Sequence, residues 1–209
     1  MSIIKFLSSS LGQRGNEANI ALAKEIAETE NHKAIKDLVD NLNNEDKKIQ
    51  GDCIKTLYET AYIKPEMIEE YYLNFLDLLT SKNNRMVWSG MIALLTITDL
   101  KYKEIFASLE LIMKTVNKGS VITIDCGVGI LAKLNKHSEY INITEPLLIE
   151  QLWKCPIKQL PQYLEKSIIS ITKQNKEIYQ TIIEQRKPEC DKNSQVKRLD
   201  KILKTIRNI

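Results

Sequence analysis

The stretch from Asn83 to Thr96, Asn-Asn-Arg-Met-Val-Trp-Ser-Gly-Met-Ile-Ala-Leu-Leu-Thr, decides the fold of this 209-residue chain. Small and apolar residues recur at the spacing of one helical face, at Met86, Gly90, Ala93 and Leu94. Asn83 or Asn84 precedes them as an N-cap, because an Asn side chain accepts a hydrogen bond from a first-turn amide. The opposite face is also apolar, with Trp88, Ile92 and Leu95. A helix that is apolar on both faces needs cover on both sides, which predicts a central helix of an all-α protein.

A second amphipathic pattern recurs along the chain at a spacing of 36 to 37 residues for its first four copies and 34 residues for the fifth. Its first copy is Ile35, Leu38, Val39 and Leu42, and its next copies are Tyr72, Phe75, Leu76 and Leu79, then Leu109, Ile112, Met113 and Val116. The fourth copy retains Leu148, Ile149 and Leu152, and the fifth retains Tyr179, Ile182 and Ile183, with Arg186 in the last position. Five copies in series indicate a structural repeat.

A turn and a second helix follow each copy; the turns are polar except in the fourth unit, where Pro156 and Pro161 take this role, and the first three second helices share a further pattern. The equivalent positions are Ile49, Cys53, Thr56 and Leu57, then Met86, Gly90, Ala93 and Leu94, then Ile122, Cys126, Gly129 and Ile130. A helix pair of this kind cannot bury both apolar faces alone, so neighbouring pairs must stack. The sequence therefore predicts an all-α fold, an α-solenoid of about five stacked helix-turn-helix repeats with N- and C-terminal capping helices.

The segment from Asp46 to Leu57 resembles the HEAT-repeat pattern D-x-x-V-R-x-x-A-x-x-A-L, and the segment from Asn83 to Leu94 is similar to it. Tetratricopeptide repeats are the alternative, but their Trp-Leu-Gly-Tyr spacing is absent from the sequence. The chain as a whole resembles small bacterial and archaeal HEAT-repeat proteins, which implies a fold and no activity. We expect one domain over 1–209, with an N-terminal cap at 1–32, repeats at 33–190 and a basic capping helix at 191–209.

Positive charge concentrates at the C-terminal end. Residues 154–209 carry 13 Lys and Arg against 6 Asp and Glu, whereas the whole chain has a net charge of +3. The cations of the predicted last helix are Lys197, Arg198, Lys201, Lys204 and Arg207. A solvated capping face explains them, and a surface for nucleic acid or an acidic partner is the alternative.

One stretch has a competing interpretation. Residues 121–126 alternate like a strand, and Gly127 to Ala132 match G-x-G-x-x-A, the dinucleotide-binding fingerprint. That site needs several strands, whereas the repeat register places Gly127 and Gly129 within a helix. We therefore predict a helix here and no cofactor.

Catalytic and metal-binding patterns are otherwise missing from the sequence. The two histidines, His32 and His137, have no partners at metal-ligand spacing, and the four cysteines are widely separated. Cys53 and Cys126 occupy small-residue positions of the repeat and are expected to be buried and reduced, which favours a cytoplasmic location. No apolar run approaches the about 20 residues of a membrane span. We predict a protein that is not an enzyme.

The second helices of such repeats generally line the inner surface of the solenoid, and we expect a partner there. The predicted recognition patch consists of Arg85, Trp88, Ser89, Asp125, Asp52 and Lys55. Arg and Trp are favoured interface anchors, although core packing between repeats also explains Trp88.

Two functional hypotheses follow. The first is a non-catalytic scaffold that presents a helical surface to a protein or peptide. The second is a nucleic-acid-binding protein resembling the HEAT-like alkylpurine-DNA glycosylases, in which an Asp follows a Trp by one helical turn. The sequence departs from that family, because Ile92 and Ile157 stand four residues after the two Trp residues.

Overall fold

The structure, a computed structural model, describes residues 2–209, and within them all regular secondary structure is helical. The α-helices are α1 (Glu17–Thr29), α2 (His32–Asp40), α3 (Lys47–Ile63), α4 (Tyr72–Leu78), α5 (Asn84–Ile97), α6 (Tyr102–Ala107), α7 (Leu109–Lys118), α8 (Val121–Leu134), α9 (Ile141–Lys154), α10 (Leu160–Ser167), α11 (Lys176–Arg186) and α12 (Asn193–Arg207). Short 3₁₀ helices occupy Ile3–Phe6, Pro65–Met67, Glu69–Tyr71, Ile168–Ser170 and Lys187–Glu189. The prediction of an all-α solenoid is confirmed, with the helix pairs in the expected order.

Side chains cap the first turns of α3 and α5, and the cap of α5 is at Asn83, one of the two residues predicted from the sequence. The Asp46 carboxylate accepts a hydrogen bond from the Lys48 amide at the start of α3, at 2.7 Å. The Asn83 side chain does the same for the Arg85 amide of α5, at 3.0 Å. Each contact satisfies an amide that has no partner within its helix.

The chain divides into two compact units, residues 1–127 and residues 128–209, with the boundary inside α8. In the first unit α3 is the central helix, because it packs against α1, α2 and α5. The second unit contains α9 to α12, and α12 packs on α10 and α11. A single domain spanning 1–209 stays a prediction.

The small residues of α5 allow α4 to approach closely. A Cβ atom at Gly90 would lie 2.9 Å from the Leu78 Cβ and 3.0 Å from the Phe75 carbonyl oxygen. Both distances are shorter than a normal van der Waals contact, so the contact between α4 and α5 requires glycine at this position.

The strand-like stretch at 121–126 is the first part of α8, so no strand precedes the G-x-G-x-x-A motif. The motif lies within the helix, where a Cβ at Gly127 would meet the Val116 side chain at 2.3 Å. One expectation for this repeat is wrong: Ile122 is 43% exposed, and Thr123 takes the buried position instead. Successive helical residues are about 100° apart, so an offset of one residue turns Ile122 out of the core.

The last helix has the predicted division between an apolar and a basic face. Leu199, Leu203 and Ile206 are buried, and Ile202 joins them, whereas Val196 is only half-buried. All five predicted cations of α12 are exposed. Two of them form ion pairs within the second unit, Arg198 with Glu165 at 2.7 Å and Arg207 with Glu184 at 3.4 Å.

Candidate functional site

An open cleft in the first unit brings together three of the six predicted recognition residues. Its walls are the segment 8–16, which precedes α1, together with Lys48 and Asp52 of α3 and Arg85 and Trp88 of α5. Its volume is about 660 Å³. We call it the N-terminal cleft.

Asp52 is the buried anchor of the cleft, with 6% of its surface exposed. One carboxylate oxygen accepts the Ser9 backbone N–H at 2.8 Å, and the other lies 3.7 Å from an Arg85 guanidinium nitrogen. A buried carboxylate needs such donors, because an unpaired charge is expensive to remove from water. Asp52 therefore holds the N-terminal segment and α5 against α3.

Arg85 lies across the backbone of α3. Its guanidinium donates to the Gly51 carbonyl oxygen at 3.4 Å. A Cβ at Gly51 would stand only 2.7 Å from the guanidinium carbon, so glycine is what permits this approach. The Arg85 side chain remains 42% exposed, and it presents the rest of its donors to the cleft.

Trp88 is half-buried and lines the same cleft, one helical turn after Arg85. Residues three apart on a helix are neighbours on its surface, which places the aromatic ring and the guanidinium on one side of α5. The cleft therefore combines a charged group and a flat apolar group, the pairing that is typical of interface anchors.

The segment 8–16, the N-terminal wall of the cleft, was not predicted from the sequence as part of the site. The Ser8 backbone N–H donates to the side-chain oxygen of Asn19 at 2.8 Å, and Gly12 turns the segment with a φ of 70°. Such a positive φ favours glycine, so the Ser-rich run with Gly12 and Gly15 was the available signal for a fixed turn. The hydroxyl oxygens of Ser8 and Ser9 and the amide nitrogen of Asn19 have no hydrogen-bond partner among the described residues.

The other three predicted residues do not line the cleft. Ser89 is 1% exposed, so its expected place on the recognition surface is wrong: the α5 face that carries Ser89 is packed inside the unit. Lys55 forms an ion pair with Glu59 at 2.5 Å and lies 4.8 Å from the centre of the Tyr58 ring. Burial opposes the charge on Lys55, but its hydrogen bonds to Glu59 and Tyr58 outweigh burial and raise its pKa. Asp125 is half-buried on α8.

The remaining candidate chemistry is sparse. Among residues 2–209 there is no group of three or more His, Cys, Asp or Glu side chains that could hold a metal ion. His32 is exposed at the start of α2, and the His137 ring lies 6.2 Å from the Tyr140 ring. Cys53, Cys126 and Cys155 are buried thiols, and burial raises the pKa of Cys53 to about 12. In the described part of the chain, no helix has both the length and the apolar character needed to span a membrane.

The geometry defines the class of protein as an all-α helical-repeat solenoid. No protein-family model and no curated protein matches the chain. An engineered protein solved by the Northeast Structural Genomics Consortium matches with a TM-score of 0.63 and 18% identity, over 100% of both chains. A second engineered protein from that consortium has a TM-score of 0.57 and 19% identity, covering 100% of this chain and 98% of its own.

A designed armadillo repeat protein in complex with the peptide (KR)4 is also similar, with a TM-score of 0.63 and 14% identity. The match covers 92% of this chain and 87% of the designed protein. At these identities the similarity establishes the fold, an armadillo-like helical repeat. The more specific assignment to HEAT repeats stays a prediction.

Proposed function

We propose that this chain is a non-catalytic scaffold that binds a protein or peptide segment in the N-terminal cleft. The observation that carries the proposal is the meeting of Arg85 and Trp88 of α5 with Asp52 of α3 in one open cleft. Residues from two successive repeats and from the N-terminal segment contribute, so the cleft exists only when the repeats are stacked.

The size and chemistry of the cleft support this function. Its volume of about 660 Å³ lies within the range of about 300–1,000 Å³ that is typical of ligand sites. Its anchors are an Arg and a Trp, the residue types that most often dominate interface energies. The designed armadillo repeat protein, which has a similar fold, is in complex with a peptide. The four cysteines, all in the thiol form, support a cytoplasmic location for the scaffold.

A peptide-display selection against the purified chain tests the proposal. Selected peptides should bind the wild type, lose at least tenfold in affinity with Trp88→Ala, and quench or shift the fluorescence of Trp88. The matched control is Trp153→Ala, because Trp153 is the only other Trp of the chain and lies on α9. Circular dichroism establishes that both variants are folded.

Two results would count against the scaffold. The first is a selection that yields no peptide whose binding depends on Trp88. The second is an unfolded Trp88→Ala protein accompanied by peptide contacts, mapped by hydrogen exchange on the wild type, that lie outside the cleft. No observation on residues 2–209 favours the glycosylase-like alternative, since Ile92 and Ile157 occupy the positions one turn after the two Trp residues.

A further inference from the structure

We infer that the N-terminal cleft recognises an acidic peptide segment, through side-chain carboxylates set beside an apolar residue; this inference rests on the proposed function. The first step is the charge of the walls. Arg14, Lys48 and Arg85 line the cleft against one lining carboxylate, that of Asp52, and the Glu17 carboxylate lies beside Gly15 at the edge of the wall. Positive side chains therefore outnumber negative ones where a ligand would lie.

The one acidic group in the cleft is already occupied. Asp52 is buried, and both of its carboxylate oxygens face donors, the Ser9 N–H and the Arg85 guanidinium. It offers little to a cationic ligand. Arg85, by contrast, has five N–H donors and makes only two long contacts, at 3.4 and 3.7 Å. Its remaining donors can form the paired hydrogen bonds that Arg makes with a carboxylate.

The other two cations of the cleft, Arg14 and Lys48, are available to a ligand. No side-chain hydrogen bond or ion pair to Arg14 or Lys48 is present between residues 2 and 209, and both residues are exposed. A ligand carboxylate can therefore gain ion pairs here without breaking an existing one.

A buried donor in the cleft also lacks an acceptor. Ser8 lines the cleft with 2% of its surface exposed, and its hydroxyl has no hydrogen-bond partner among the described residues. A buried hydroxyl without a partner is destabilising, because it has lost its hydrogen bonds to water. Carboxylate oxygens accept several hydrogen bonds each, so a ligand carboxylate that reaches the Ser8 hydroxyl supplies the acceptor it lacks. Trp88 provides an apolar face for the residue next to the carboxylate.

The charge distribution favours an acidic peptide over nucleic acid or a basic peptide. Residues 1–127 carry 15 Lys and Arg against 18 Asp and Glu, so the first unit as a whole has a net charge of −3. A nucleic acid strand requires a continuous basic track for its phosphates, whereas the excess here is confined to the cleft. Three cations in the cleft also oppose a basic peptide of the (KR)4 kind.

The test uses fluorescence anisotropy on the full chain with three labelled hexapeptides of matched length. The probe is fluorescein-Gly-Glu-Glu-Leu-Glu-Gly, and its controls replace every Glu with Gln or with Lys. We expect the Glu peptide to bind at least tenfold more tightly than the Gln peptide. This advantage should shrink as salt is raised, because screening weakens exposed ion pairs.

Charge variants locate the binding. Arg14→Gln and Lys48→Gln should each weaken the Glu peptide about two- to fivefold, the value of an exposed ion pair. Arg85→Met should weaken it about tenfold, because a paired guanidinium–carboxylate contact is stronger. Lys82→Gln is the matched control, since Lys82 is an exposed cation outside the cleft. The Arg14 and Lys48 variants keep the test decisive if Arg85→Met disturbs folding.

The outcomes separate this inference from the proposed function. If the Gln or Lys peptide binds at least as tightly as the Glu peptide, and Trp88→Ala weakens that binding, the acidic specificity is wrong and the scaffold stands. Binding of a thymidine 12-mer that Arg14→Gln and Lys48→Gln abolish would assign the cleft to nucleic acid. If display-selected peptides also fail to require Trp88, the proposed function fails together with this inference.

Discussion

Replacement of Arg186 by Met should be among the most destabilising single changes in the second unit. The Arg186 side chain is 9% exposed, and its guanidinium donates to the carbonyl oxygens of Leu152 and Cys155, both at 2.8 Å. These carbonyls belong to the C-terminal end of α9, where the last carbonyl groups have no partner within the helix. Arg186 therefore caps α9 from α11.

The magnitude follows from these contacts. A hydrogen bond to a charged group contributes about 1.5–3 kcal/mol. Removal of Arg186 leaves the Cys155 carbonyl without its guanidinium donor and the Leu152 carbonyl with the weak Cys155 thiol donor, at 3.4 Å. Loss of two such bonds together with the Glu189 pair should lower the free energy of unfolding by about 3–5 kcal/mol. Met retains an apolar stem of similar length, so the change removes the donors and little of the packing.

Urea denaturation followed by circular dichroism measures the effect, and Arg198→Met is the matched control. Arg198 makes a two-bond contact with Glu165, at 2.7 and 3.0 Å, but its side chain is 46% exposed. An exposed pair contributes about 0–1 kcal/mol, so the control should be nearly neutral. Equal losses in the two variants would refute the argument that the buried carbonyl contacts carry the stability.

Three further outcomes are expected. Gly90→Ala should destabilise the chain in urea by about 1–3 kcal/mol through overpacking against α4, despite a helix-propensity gain of about 1 kcal/mol, and a stabilised variant would contradict the packing argument. Hydrogen bonds from Arg186 lower the pKa of Glu189 below its ordinary value of 4.5, so the stability from this pair is present above that value and is lost as pH falls through the lowered pKa. In an NMR titration, Arg186→Met should return the pKa of Glu189 towards 4.5, and an unchanged value would disprove the assignment. Under native conditions a thiol reagent should label Cys190 first, because the other three thiols are buried, and faster labelling of Cys53 in mass spectrometry would contradict the burial.

The positions of the predicted site residues show that sequence periodicity does not always predict which face of a helix is buried. Asp52, Arg85 and Trp88 lie together because α3 and α5 are the second helices of successive repeats and pack against each other, not because the three residues share a repeat position. Their role in recognition stays a prediction. Ser89 was misplaced because α5 is apolar on both faces, so the periodicity does not say which small polar residue is covered. The same ambiguity put Ile122 in the core of α8 in place of Thr123.

The sequence by itself determined the helices, their caps and their repetition, because helical period, N-caps and turn residues are properties of neighbouring residues. Asp46 and Asn83 could be assigned as caps without knowledge of any distant contact. Only the tertiary structure decided the cleft. The Ser9 amide reaches Asp52 across 43 positions of sequence, and Arg186 reaches the end of α9 across 34. Contacts between residues so far apart in the sequence depend on how the helices and segments pack. The local periodicity of the sequence does not predict that packing.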